Sequence, residues 1–441
     1  MEDAGIPTAP MATAHFASYM ARDSQIHGMQ LRFSFPPHPT AWITREMDKQ
    51  YVEGDDPITG LPLMPEVVEA LTRPLTEEEK HPVASKRPRR PRLLEPDTED
   101  NLRRLFVRNG WTDGLPIILP TEERVAEMLT GTDHNPQEVI GRMSVTPHEE
   151  KLEYTVEKVA VNAVMAGARP EHFPVILAVA ATQRALFPSS TGSWGHMIVV
   201  NGPVRYQIGM NCGSSALSPF NLANSVIGRA GTLMTINFGD INLAENFTGA
   251  AGSGFNYNNL CCGENQERSP WEPFHVQKGF KSTDSTISLF RGWSIQGFTV
   301  GPQVGSAKTM VELMRRMGFP ITFIVDPLVA KSLKSEGFET KPQLAEYLVN
   351  EAKAAGGGGR AGRPMDARAI NFIVLGGEWN PMFGTTDFTY LQTEPIDKWI
   401  PKAGIKMTDP DYRMPAQAVC SEGVCGLDLA VLGNLRQGQT S

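Results

Sequence analysis

Cysteine is scarce in this chain: five in 441 residues, which excludes a disulfide-stapled framework and an array of zinc fingers. No apolar run approaches the ~18 residues that a membrane-spanning helix needs, so no membrane partner is expected. The opening MEDAGIPTAPMATA lacks a basic stretch followed by an apolar core. No signal peptide is read there, and a reducing cytoplasm with free thiols is the expected compartment. The Asn246-Phe247-Thr248 sequon is then fortuitous. Neither GxGxxG nor GxxxxGK[ST] occurs, so there is no nucleotide-cofactor signature. The histidines show no HxH or HExxH spacing and signal no dedicated metal site. A net charge of −8 argues against a nucleic-acid surface. The one basic run, KRPRRPR at 86–92, is flanked by acidic residues and reads as a linker or a subunit contact.

What remains is ordinary globular material, 41% hydrophobic and 20% charged, long enough for one large or two medium domains. Residues 1–97 are rich in proline and charge and show no sustained period, with only short helical pieces at 65–71 and 76–80 broken by Pro74 and Pro82. Phe33, Phe35, Trp42 and Tyr51 nevertheless give that stretch apolar anchors. It reads as a long extended arm wrapped over its own domain or a neighbouring subunit, and a homo-oligomer is expected.

From residue 98 to 405 the pattern is regular. Helices are predicted at 98–109, 121–129 (capped by Thr121), 155–167 (Thr155 to Gly167) and 174–186. A strand-like run is predicted at 117–119 and a buried strand at 197–201. A helix from Ser218-Pro219 to about 236 follows. Helices at 307–317, 327–336 and 343–354 alternate with strands at 321–325 and 371–375, and the glycine run 356–359 is a loop. Strands alternating with helices predict an α/β fold, a mostly parallel sheet with helices on both faces. No internal repeat is apparent. Residues 406–441 form a tail with CSEGVC.

The segment CCGENQERSPWEPFH, 261–275, concentrates chemistry. Cysteine is the strongest neutral-pH nucleophile, and Glu264 and His275 are placed to move protons beside Cys261 or Cys262. Neighbours on an extended segment point to opposite sides, so only one of these cysteines faces a given pocket. Asn265 and Trp271 are binding candidates in the same loop. The GMNCGSS turn at 209–215 leads toward a helix start, with Asn211, Cys212, Ser214 and Ser215 positioned to hold an anionic group. Lys158 and Asn162, four apart on one helix face, are a candidate carboxylate clamp. Asn224, Arg229, Asp326, Glu378 and His196 are weaker candidates, and His172 reads as structural. Cys420 and Cys425 have the wrong spacing for a thioredoxin motif, but Cys212, Cys261 or Cys262, Cys420 and Cys425 together form a candidate iron–sulfur or zinc ligand set.

Several blocks resemble a little-characterised bacterial family associated with the UGSC-type proteins, in which selenocysteine or cysteine heads a Gly-Ser-Cys motif. They are DGLPIILPTEERVAEML (113–129), TVEKVAVNAVMAGARPEHFPVILAV (155–179), IVVNGPVRYQIGMNCGS (198–214), ENQERSPWEPFHVQKGF (264–280), FIVDPLVAKSLKSEGF (323–338) and FIVLGG (372–377). The resemblance spans about 100–400. It implies thiol or redox chemistry on a small organic molecule, a thiol or selenoprotein partner, and Cys261 rather than Cys262 as the functional cysteine. The long arm, the CSEGVC tail and the Glu378-Trp379-Asn380 loop depart from the family pattern, and the chain has no Cys-Gly-Ser-Cys motif of its own.

The expectation is a thiol-dependent enzyme of lyase or reductase type, using Cys261 with Glu264 and His275 on a small anionic substrate. Two alternatives stand beside it: a metal or iron–sulfur enzyme, and a non-catalytic subunit of a complex.

Overall fold

The computed structural model describes residues 5–26, 28–39, 43–82, 91–143, 152–184, 194–239, 241, 251–300, 306–317, 322–356, 365–378 and 380–408. Trp42, most of the 86–92 basic run, the Asn246 sequon, the glycine run beyond Gly356, Trp379, Cys420 and Cys425 lie outside the described residues.

Residues 5–82 carry the helices α1 (Ala17–Ile26), α2 (Arg45–Glu53), α3 (Leu63–Thr72) and α4 (Glu77–Lys80). Thr44 and Thr76 cap α2 and α4 through their hydroxyls, and Glu79 completes a reciprocal capping box with Thr76. Two polar hubs join these pieces. Arg32 donates to the carbonyls of Ala70, Arg73 and Pro74 and to both oxygens of Glu79, at 2.6 to 3.0 Å. Wholly buried Asp56 accepts from the amides of Phe35, Ile58 and Thr59. The short helices expected at 65–71 and 76–80 are present, and those at Ala17–Ile26 and Arg45–Glu53 add to them, so the arm is less extended than its composition suggests; its charged side chains satisfy backbone groups that short helices leave open.

The body begins with α5 (Glu99–Arg108) and α6 (Glu122–Leu129), capped by Thr98 and Thr121. The 117–119 run forms no strand. The Ile118 amide bonds to the Met165 carbonyl while Ile117 and Leu119 enter the helical core. The antiparallel pair β1 (Val139–Met143) and β2 (Leu152–Thr155) leads into α7 (Val156–Ala166), which ends at Gly167 in the left-handed region, φ 84°. Helix α8 (Phe173–Ala181) is buried over nearly its whole length. Next come β3 (Gly195–Asn201), α9 (Val204–Gln207), α10 (Leu222–Gly239), α11 (Phe255–Asn258), β4 (Leu260–Gly263), α12 (Phe274–Gln277) and β5 (Thr286–Gly292). Helix α10 starts at Leu222 and not at Pro219. Phe220, at φ 77°, breaks the helical path, and the Asn221 amide takes the Ser215 and Ser218 carbonyls. The chain continues through β6 (Ile295–Thr299), α13 (Ser306–Met317), β7 (Thr322–Val325), α14 (Pro327–Ser335), α15 (Lys341–Ala354), β8 (Asn371–Val374), β9 (Met382–Thr386) and β10 (Thr389–Pro395).

The fold is α/β with two mixed four-stranded sheets, ordered β10-β5-β3-β4 and β6-β9-β7-β8. Among the described residues five of the seven strand pairings are antiparallel, against the mostly parallel sheet the sequence predicts. Among the described residues parallel pairing arises across the two helical crossovers, β3 to β4 and β7 to β8; the third strand of each unit returns antiparallel.

Helices also do not cover both faces of a sheet. In the first sheet Ile198 and Val200 pack with α7, α8 and α10, while Met197 and Val199 share a core with Ile324 and Ile373 of the second. Phe323, Val325 and Phe372 pack instead on α13, α14 and α15. The order of layers is helix, sheet, sheet, helix. Each fully buried Val, Leu or Phe in these three cores contributes roughly 1.5–3 kcal/mol relative to an exposed one.

The two sheets repeat one plan, a β-α-β-β unit with the same strand order and sense. Their fourth strands are exchanged: β6 follows β5 but joins the second sheet, and β10 follows β9 but joins the first. The crossing occurs at Gly292 and Phe388. A Cβ on Gly292 would lie 2.6 Å from the Phe388 Cα, so only glycine fits. Asp387 Oδ1 accepts from the amides of Trp293 and Ser294, locking one crossing segment onto the other. A duplication is thus present in topology where none is visible in sequence.

Candidate functional site

Both parallel pairs end at one junction. The Glu264 amide bonds to the Val200 carbonyl and the Leu375 amide to the Val325 carbonyl, equivalent bonds in the two units. Asn265 then links the sheets, its amide on the Val374 carbonyl (2.8 Å) and its Nδ2 on the Gly376 carbonyl (2.9 Å). The Gly376 amide reaches the Cys212 carbonyl, and Gly377 lies so close to Ser214 that a Cβ would meet its backbone nitrogen at 2.8 Å. Carboxyl ends of parallel strands are where open α/β sheets leave room for ligands. Ser215 (φ 56°), Phe220 (φ 77°) and Glu378 (φ 62°), all non-glycine residues in the left-handed region, stand on the loops around this junction.

Cys261 and Cys262 point to opposite faces of β4, as adjacent strand residues must. Cys261 packs in the helix-side core against Gly228 of α10, whereas Cys262 lies between the sheets. Burial pushes both thiols far above their ordinary range. Glu264 falls on the same side as Cys262, so Cys261 does not share a pocket with Glu264 and His275.

Glu264 is completely buried. Its Oε1 accepts from Lys341 Nζ at 2.9 Å, and its Oε2 accepts from Asn201 Nδ2 (2.6 Å) and the Phe274 amide (2.7 Å). His275 is also buried, its Nδ1 3.3 Å from Gln266 Nε2. Burial lowers the His275 pKa, with the Glu264 charge opposing. The Asn201 Oδ1 and the Thr286 Oγ1, on directly paired strand residues beside Glu264, find no partner among the described residues. Lys278 Nζ lies over the rings of Phe274 and Tyr390, 4.8 and 4.2 Å from their centroids. Its pKa is lowered by burial and by the Lys341 charge.

Cys212 has a different setting. Its Sγ is 3.7 Å from Nη1 of Arg205, a buried guanidinium that also donates to the carbonyls of Gly202 and Glu264 and to Gln266 and Glu267. Gly263 is glycine because a Cβ there would meet the Cys212 sulfur at 2.4 Å. At 8% exposure Cys212 is buried by the loop that carries it. Burial raises its pKa to about 11, and the Arg205 charge only partly offsets this.

The other predicted residues are scattered or structural. Lys158 is exposed on α7, its Nζ on the Glu153 carbonyl, and Asn162 bridges α7 to α10 through Asn237. Neither reaches the junction. Trp271 donates to the Phe338 carbonyl and packs on Phe372. The Asn224 side chain braces the 209–221 loop by bonding both the amide and the carbonyl of Asn211, whose own side chain donates to the Ser214 carbonyl, and Arg229 holds Asp113. Asp326 caps α14, and Glu378 is paired with Arg268 and Lys331. His172 accepts from the Arg169 amide, and His196 is buried in the first sheet. Ser214 and Ser215 do lie at the junction, half-buried and exposed. Arg205 and Lys341 are the residues that sequence reading missed: a lone arginine in VRYQ and a lysine in the first turn of α15 carry no local signal of burial.

Among the described residues no three His, Cys, Asp or Glu side chains converge as metal ligands. Of the candidate cluster set only Cys212, Cys261 and Cys262 fall within them. No described helix is long and apolar enough to cross a membrane. No protein-family model matches the chain, and no curated protein matches it.

Proposed function

We propose that the chain is a thiol-dependent enzyme of lyase or reductase type acting on a small anionic organic substrate, with Cys212 as the reacting thiol. One observation carries this reading. Arg205 spans from the Cys212 sulfur to the Glu264 backbone carbonyl, so a thiol and a buried cation stand together at the strand-end junction, with the Glu264 carboxylate on the other face of the same strand end. The role assigned to Cys261 from sequence passes to Cys212, because Cys261 has packing partners and no cation beside it.

A thiol held at about 11 is protonated at rest, so the thiolate is produced by proton transfer rather than stored. Glu264 and His275 supply proton-transfer groups on the sheet side of the junction. Lys278, over Phe274 and Tyr390 and without a carboxylate partner among the described residues, replaces Lys158 as the seat for the substrate's negative group. The blocks similar to the UGSC-associated family favour the same thiol chemistry.

Alkylation of the native protein by iodoacetamide, mapped by peptide mass, tests the assignment. Cys212 is expected to react before Cys261 and Cys262, with a rate that rises about tenfold per pH unit toward pH 11 and falls when small carboxylates are added. Faster labelling of Cys261 or Cys262, or Cys212 labelling only at the rate of global unfolding, would refute it.

A further inference from the structure

Arg205 is held at every nitrogen, and the thiol beside it receives the longest of its contacts. Its Nε donates to the Gly202 carbonyl at 2.9 Å and its Nη2 to Gln266 Oε1 at 2.6 Å, while its Cζ lies over the Tyr206 ring, 5.0 Å from the centroid. Nη1 also serves the Glu264 backbone carbonyl. Glu267 takes both terminal nitrogens, Oε2 on Nη1 at 3.3 Å and Oε1 on Nη2 at 2.9 Å, the two-pronged fit of carboxylate to guanidinium. The Cys212 sulfur is left with Nη1 at 3.7 Å.

The carboxylate approaches from the solvent side. Arg205 is 1% exposed, whereas the Glu267 side chain is 44% exposed. Partial burial would raise the Glu267 carboxyl, but the bonds from Arg205 outweigh it and hold it below the ordinary carboxylate range, so it carries its charge at neutral pH. Among the described residues the charges that act on Cys212 are Arg205, Glu267 and Glu264, and both carboxylates oppose the thiolate. Glu264 is matched by Lys341. Glu267 instead draws on Arg205, the cation a Cys212 thiolate would use.

We propose that Glu267 is a positioning residue that restrains Cys212: by neutralising Arg205 from outside, it keeps the thiol protonated until that carboxylate charge is removed. The inference rests on Cys212 as the reacting thiol. Only the thiolate attacks or is alkylated, so a carboxylate competing for the shared cation sets how much thiolate exists. At this separation, and discounted for the exposure of Glu267, the effect is on the order of one pH unit in the thiol midpoint, a roughly tenfold change in thiolate.

Iodoacetamide labelling of the full chain at about pH 7 to 9, mapped to each cysteine by peptide mass, tests this. Glu267→Gln removes the charge while its carbonyl still accepts from Arg205, and Glu267→Asp keeps the charge. Cys212 is expected to label about tenfold faster in the glutamine variant than in the wild type, with Cys261 and Cys262 unchanged and the aspartate variant within about twofold of the wild type. An unchanged or slower Cys212 in the glutamine variant overturns the inference. So does an equal acceleration at Cys261 and Cys262, which marks a loosened fold, or an aspartate variant as fast as the glutamine one. The role of Cys212 as reacting thiol is judged separately, by the order of labelling among the cysteines of the wild type; the restraint is judged by the ratio of variant to wild type at Cys212 alone.

Discussion

Replacing Lys341 by methionine removes the cation from a fully buried carboxylate while keeping most of the side-chain volume. Glu264 retains its bonds from Asn201 and Phe274, but its charge loses the cation bonded to it. Breaking a buried ion pair from one side costs about 3–5 kcal/mol, because the remaining charge stays out of water. Against a typical stability of about 5–15 kcal/mol this is a large share. With a urea slope of about 3 kcal/mol/M the midpoint should fall by about 1–1.7 M. The informative variant is the double one, Glu264→Gln with Lys341→Met. Both charges are gone, and the glutamine carbonyl still accepts from Asn201 and Phe274, so most of the loss should return. Urea melts followed by far-ultraviolet circular dichroism read all three proteins. A Lys341→Met variant that loses under about 1 kcal/mol, or a double variant worse than the single, would show that the pair does not hold the junction together.

Gly292→Ala should destabilise by about 1–3 kcal/mol or more, since the added carbon meets the Phe388 backbone and cannot be relieved by a rotamer change; an unchanged thermal midpoint would contradict the tight crossing. His172, with its pKa lowered to about 4 by burial, binds its proton more weakly folded than unfolded. Its stabilising effect is present above about pH 6.5 and is lost as pH falls toward 4, so His172→Gln should flatten the acid limb of the stability curve; an equally steep limb in the variant would argue against it.

The local architecture was legible where a side chain caps or ends an element. Thr121, Thr155, Gly167 and Asp326 mark helix ends to within a residue or two, because the bonds that fix those ends are made by neighbours in the chain. The separation of Cys261 from Cys262 was legible for the same reason, as strand geometry alternates faces. Which of the two faces would hold Glu264, and that a third cysteine would lie beside Arg205, was not. Arg205 and Cys212 are brought to β4 by a crossover that sequence spacing does not encode.

By itself, then, the order of residues determined most of the longer helices of the body, the strands at 195–201, 322–325 and 371–374 and the alternation of strand faces, all of which rest on interactions a few residues long. Tertiary structure alone decided the antiparallel returns, the exchange of β6 and β10 between sheets, and the burial of Lys341 against Glu264, 77 positions away. Those features depend on contacts between segments far apart in the chain, where the stability of a partner is set by what the rest of the fold excludes from water and not by the residues beside it.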